Sequence, residues 1–197
     1  MQPDRDDGAL ESGLIRRVVA ADDHAAFARL VRMHQSPVRQ FLRRLCRRDV
    51  ERAEDLAQDT FWKAYRHLRT YRGEGRFLSW LFKIAYQLFV TQERRRRKVE
   101  FTELTVDPAA DIVEGEQVVL IRTVDRLLSR LRDEERAAVL LHYRHDLTQQ
   151  EIAAALGQPL GTVKSLIRRA REKMRQHYHS RSEESPCEKR PLETKSG

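Results

Sequence analysis

Apolar residues recur along the chain at intervals of three and four, and no stretch of useful length alternates apolar with polar as a half-buried strand would. Phe27, Leu30 and Val31, then Val38, Phe41, Leu42 and Leu45, keep helical spacing across Ser36-Pro37, where the proline begins a new helix or kinks the old one. A helix over about 52–68 carries Leu56, Phe61, Ala64, Tyr65 and Leu68, and two glycines then mark residues 71–75 as a loop. From Phe77 a long helix sets Phe77, Trp80, Leu81, Ile84, Ala85 and Leu88 on one side and ends in the basic run Arg94 to Lys98. A second periodic region begins at Val119 and continues through Leu127, Leu128, Leu131, Val139, Leu140 and Tyr143. The expected fold is all-α, with two small helical domains.

The most informative stretch is LTQQEIAAALGQPLGTVKSLIRRAREKMR, from Leu147 to Arg175. Thr148 can cap a first helix with Glu151 closing the capping box, and Ile152 and Leu156 form an apolar i, i+4 pair. Gly157 stands where the chain must turn with positive φ. A second helix begins near Pro159 to Thr162. It buries Val163, Ile167, Ala170 and Met174 as one stripe, and Lys164, Arg168, Arg171 and Arg175 repeat that interval one residue along. A core face beside a cationic face, after a small Ala153 and a glycine turn, is a helix-turn-helix pattern. The plain alternative is an amphipathic hairpin with a solvated basic side.

Charge sharpens this picture. Thirty-eight Lys and Arg against 30 Asp and Glu give a net charge of +8, which suits a polyanionic partner, nucleic acid above all. Between Val99 and Gln117, however, the charged residues are six acids and no base, around Pro108, so an acidic linker over 99–116 is expected to join domains at 14–98 and 117–176. Residues 1–13 are expected to be a disordered leader and 177–197 a disordered tail rich in Ser, Glu, Lys and Pro. No apolar run is long enough to cross a bilayer and no signal peptide is visible, so a cytoplasmic location without membrane insertion is expected. Cys46 and Cys187 cannot build a disulfide framework or a metal cage; Cys46 is a small core residue. His142 and His145 suit a capping or surface role, and His177, His179 and Cys187 lie in the tail, so no metal or cofactor is expected.

Two faces of the front domain carry further chemistry. In AEDLAQDTFWKAYRHL, Glu54, Asp55, Gln58, Asp59, Trp62, Lys63 and Arg66 form a mixed exposed surface with an aromatic that could anchor a protein partner, or a solvated face stitched by pairs such as Asp59 with Lys63. In YRGEGRFLSWLFKIAYQLF, the face opposite the apolar stripe holds Lys83, Tyr86, Gln87, Val90 and Arg94, with Arg72 and Arg76 flanking the loop. Aromatic and amide groups among cations can hold unstacked bases, each stacked base being worth about 1–3 kcal/mol. Phe77, Trp80 and Phe82 are taken as mainly structural.

In this order these stretches resemble a bacterial RNA polymerase sigma factor of the sigma-70 family, extracytoplasmic-function group, over roughly residues 14 to 176. AEDLAQDTFWKAYR is similar to that family's core-polymerase-binding segment, YRGEGRFLSWLFKIAYQ to its strand-melting and promoter-reading segment, and LTQQEIAAALGQPLGTVKSLIRRARE to its C-terminal helix-turn-helix. The resemblance implies that Asp55, Gln58, Asp59, Trp62 and Arg66 face the polymerase's largest subunit. It implies that Arg72, Arg76, Lys83, Tyr86 and Gln87 line a pocket for a base of the non-template strand, with Arg94 to Arg97, Arg95 among them, on nearby phosphates. It further implies that Thr162, Lys164, Ser165, Arg168 and Arg171 read the upstream promoter element.

The implied partners are core RNA polymerase and promoter DNA; an anti-sigma factor is a further partner on which the residues themselves are silent. The implied activity is binding rather than catalysis. Where the family often has Asn and Asp in IARNLAID this chain has Gln87 and Thr91, and where GTVKSR is usual it has Leu166, which could meet a thymine methyl or pack inward. Two rival readings fit the same residues. A stand-alone helix-turn-helix regulator would bind a specific duplex without polymerase. A nuclease or recombinase would need a metal-binding acid cluster or a recognisable nucleophile, and the sequence offers neither.

Overall fold

A computed structural model describes residues 4–100 and 116–183. Every regular element among them is helical: α1 (Asp4–Ala21), α2 (His24–Leu45), α3 (Val50–His67), α4 (Phe77–Glu100), α5 (Glu116–Ser129), α6 (Asp133–Tyr143), α7 (Gln149–Leu156) and α8 (Leu160–Glu183). Helices α1–α4 fall in the first of the two expected domains and α5–α8 in the second.

The leader expected over residues 1–13 is corrected for residues 4–13, which form the opening turns of α1. Leu14 and Val18 enter the core on the same helix, and Glu11 meets His34 of α2 at 2.7 Å, so the acidic start is drawn into helix by tertiary packing that no local signal announces. The tail is corrected for 177–183 in the same way, since α8 runs on to Glu183. Residues 101–115, most of the acidic linker, and 184–197 lie outside the described residues.

Local chemistry sets the helix ends. Asp23 caps α2 by accepting from the Ala26 amide at 2.9 Å, and Asp49 caps α3 by accepting from Arg52 at 3.1 Å. Helix α2 passes through Pro37 without ending, because Val38, Phe41, Leu42 and Leu45 beyond the proline continue the buried stripe of Leu30. The first core gathers Phe41, Leu56, Phe77, Leu81, Phe82 and Phe89. Cys46 is buried in it, and burial pushes its thiol up to about 11, so it is unreactive.

The two domains pack against each other. Helix α7 lies along α4, and α6 rests on the end of α2. At the junction stands Arg136 of α6, 1% exposed. Its guanidinium donates to the carbonyls of Leu128 and Leu131 at 2.9 Å, ending α5, and to the carbonyl of Leu45 in the other domain at 3.0 Å. Asp133 accepts from it at 3.2 Å. A cation sealed in a core is tolerable only when its donors are met this fully.

Candidate nucleic-acid interface

The helix-turn-helix is built as its residues dictate. The Thr148 hydroxyl accepts from the Glu151 amide at 3.3 Å, and the Glu151 carboxylate accepts from the Thr148 amide at 2.9 Å. Burial alone would raise the Glu151 carboxyl, but hydrogen bonds donated to it by the Thr148 amide, the Thr148 hydroxyl and Ser79 leave it below the usual carboxylate range. Gly157 ends α7 with φ at 64°, the Gln158 amide donates back to Ala153 at 3.0 Å, and α8 departs at Leu160.

Helix α8 buries Val163, Leu166, Ile167 and Ala170. Leu166 therefore packs inward, which decides between the two roles open to it. Lys164, Arg168 and Arg171 are exposed along one side, and Thr162 and Ser165 are half-buried at the start, where the Ser165 hydroxyl donates to the Gly161 carbonyl at 3.0 Å. A half-buried ion pair fixes the helix: Lys173 donates to both oxygens of Glu135 in α6, at 2.7 and 2.8 Å, and Glu135 also accepts from the Arg132 amide at 3.1 Å.

On α3, Asp55, Gln58, Asp59, Trp62 and Arg66 are all exposed, and Trp62, 62% exposed, lies roughly parallel to Tyr65 with ring centroids 6.3 Å apart. Glu54 sits apart from this face, tied to Arg39 at 2.9 Å and Arg43 at 2.7 Å.

The residues expected to line a strand-capture pocket are distributed differently from expectation. Arg72, Arg76 and Lys83 come together around a cavity of about 360 Å³, with Trp80 on one wall and Glu151 and Ala154 of α7 on the other. Tyr86 and Arg94 instead face a larger cleft of about 880 Å³ between the domains, opposite Arg130 and Arg132. Gln87 and Arg95 are exposed and line neither space. Tyr86, expected on an open surface, is 5% exposed, and burial raises its phenol well above the ordinary range. The single expected pocket is thus divided in two, each half walled by the second domain.

Sequence reasoning also missed what covers α4. His145, expected at a surface or a cap, is partly buried between the domains, its ring 6.2 Å from Phe41 and 4.6 Å from Phe82 by centroids, with Nε2 sealed from solvent. The Thr91 hydroxyl donates to the Gln87 carbonyl of its own helix at 2.7 Å, so this departure is spent locally.

Comparison with known proteins decides the family. The family model for Sigma-70 region 2 matches residues 30–99, and that for Sigma-70 region 4 matches 121–174. The RNA polymerase sigma factor YlaC of Bacillus subtilis strain 168 is 32% identical over 142 residues, covering 68% of this chain and 82% of that protein. The ECF RNA polymerase sigma factor SigE of Mycolicibacterium smegmatis is 36% identical over 177 residues, covering 84% of this chain and 68% of that one. This chain is a sigma factor of the sigma-70 family, extracytoplasmic-function group. Among solved structures, the sigma factor RpoE crystallised with the anti-sigma factor NepR from Bartonella quintana aligns with this sigma factor at a TM-score of 0.69 and 25% identity, covering 78% of this chain and 96% of that chain. Its membership sets aside the reading as a stand-alone regulator and places it among proteins that direct RNA polymerase to promoters. No helix among the described residues is long and apolar enough to cross a membrane.

Proposed function

We propose that this sigma factor docks on core RNA polymerase through the exposed face of α3, reads the upstream promoter element with α8, and holds the melted non-template strand against α4. The observation that carries the reading is the placement of three separate chemistries on three helices. An acid-rich face with one exposed tryptophan stands on α3, a one-sided row of cations on α8, and cations with an aromatic on α4. Phosphate contacts from Lys164, Arg168 and Arg171 would supply affinity that falls with salt, and base contacts from Thr162 and its neighbours would supply choice. Arg72, Arg76 and Lys83 would steer the strand, and Tyr86 would stack a base whose extrusion costs a few kcal/mol.

Mounted together on the polymerase, two weak DNA grips become effectively intramolecular and reinforce each other. Phosphodiester chemistry belongs to the polymerase, and this chain supplies none of it. The test is in vitro transcription from a library of promoter fragments with core polymerase, with and without the chain. Start sites that appear only with the chain support the reading. A chain that never joins core polymerase yet binds a defined duplex alone refutes it.

A further inference from the structure

The turn between α2 and α3 holds two arginines where glycine would sit more easily. Arg47 and Arg48 both have positive φ, 54° and 68°, a conformation that strains any residue with a side chain. The turn closes as the Arg48 amide donates to the Arg43 carbonyl at 2.8 Å, which a glycine would allow without strain, so the backbone gives no reason for arginine here. The reason lies in the side chains. Arg48 pairs with Asp125. Arg47 has no ion pair among the described residues, and it lines the cleft of about 880 Å³ together with Arg94, Arg130 and Arg132, which have none there either.

The acids of the same cleft do not answer this charge. Glu93 is held by Arg52 and Arg97, and Asp133 by Arg97 at 2.9 Å and Arg136 at 3.2 Å. Only Glu134 is without a cation of its own among the described residues. Four unpaired guanidiniums therefore share a concave space with one unpaired carboxylate. Behind them stands a further cation: burial first, then the charge of Arg47, holds the buried Arg136 guanidinium below its ordinary value, so Arg47 is set against a neighbour that repels it.

Cations gathered in a cleft focus their fields within it, and a multivalent anion relieves the repulsion among them. Guanidinium forks match phosphate oxygens two at a time. The cleft offers little else to recognise, because Phe89, Leu131 and Leu156 in its lining are nearly fully buried and present no open apolar face to a base or a sugar. Its volume falls in the range of small-molecule sites, about 300–1,000 Å³.

We propose that this cleft binds a short run of linked phosphates, free or carried on a nucleoside, gripped by Arg47 from the first domain and by Arg130 and Arg132 from the second. None of these three has a part in the promoter reading. Arg94, expected on strand phosphates, is kept intact in the test.

Equilibrium dialysis of the full chain against inorganic tripolyphosphate, at about 0.15 M salt with neither divalent metal nor polymerase, measures the binding. Tripolyphosphate and ATP are expected to bind within about threefold of each other, and AMP at least about tenfold more weakly, since linked phosphates carry the recognition. Arg130→Gln with Arg132→Gln should weaken tripolyphosphate by at least about tenfold, and Arg47→Asn, which tolerates positive φ, by about fivefold. Arg29→Gln with Arg69→Gln removes as much charge as the first pair, from exposed positions off the cleft, and should stay within about twofold of wild type.

Equal weakening by that control pair would reduce the binding to attraction by net charge and overturn the proposal. So would the absence of retention at about 1 mM tripolyphosphate. A single-stranded oligonucleotide that displaces tripolyphosphate, and loses as much affinity in the Arg130 and Arg132 double variant, would assign the cleft to a DNA backbone and overturn it as well. The variants fall in different domains, so if circular dichroism shows one of them unfolded, the other decides.

Discussion

Trp62 shows how much a single exposed position can be asked to do. Its indole is mostly exposed, so Trp62→Ala should leave stability within about 0.5 kcal/mol of wild type while lowering affinity for core polymerase by roughly thirtyfold, the effect of losing a hot spot of about 2 kcal/mol. Affinity measured with purified core enzyme checks this, and an unchanged value would remove α3 as the docking face. Gly157 makes the opposite demand. Nothing lies within 4 Å of where a Cβ would sit, yet φ is 64°, so Gly157→Ala should cost about 1 kcal/mol through backbone strain alone, readable as a lower denaturant midpoint. On α8, replacing both Lys164 and Arg168 by Ala should weaken upstream-element binding and flatten its dependence on log salt by roughly 2. Co-purification with polymerase should be untouched, and its loss would count against the division of labour between domains.

At the scale of elements, the attachment of α8 to α6 is a charged one. Burial alone would raise the Glu135 carboxyl, but hydrogen bonds from Lys173 and the Arg132 amide outweigh it and hold the group below its ordinary value. A depressed carboxyl contributes stability above its ordinary value near 4.5 and loses it as pH falls through and below that point. Wild type should therefore shed stability between about pH 5 and 3, and Glu135→Gln, less stable by about 2 kcal/mol near neutrality, should converge on it in acid. Unfolding midpoints across that range decide. Helices α2 to α4 and α6 to α8 were legible because each carries its own period and its own cap or turn: Phe41 with Leu45, Thr148 with Glu151, Gly157 at the exit. Helix α1 was not, because its acidic start has a weak apolar stripe and is held by the partners it meets, Leu14 and Val18 in the core and Glu11 on His34.

Across the whole molecule, the sequence pattern set the candidate site residues on helices but gave the wrong surroundings for some of them. Asp55, Gln58, Asp59, Trp62 and Arg66 stand exposed, as expected from a polar face opposite an apolar stripe. Tyr86 and His145 are covered instead, because periodicity within one helix records which side is apolar but not which distant element arrives to cover it. An arginine such as Arg136 is equally opaque from sequence, since burial of a guanidinium depends on main-chain oxygens collected from three places. That grip has its own evolutionary consequence. Because Arg136 holds the backbone of Leu45 and not its side chain, apolar exchanges that still fill the core at that position leave the acceptor in place, and the joint between the halves can survive conservative drift there. A shift in where α2 stops would undo it, so lineages sharing this joint would have to keep the length of that helix as well as Arg136 itself.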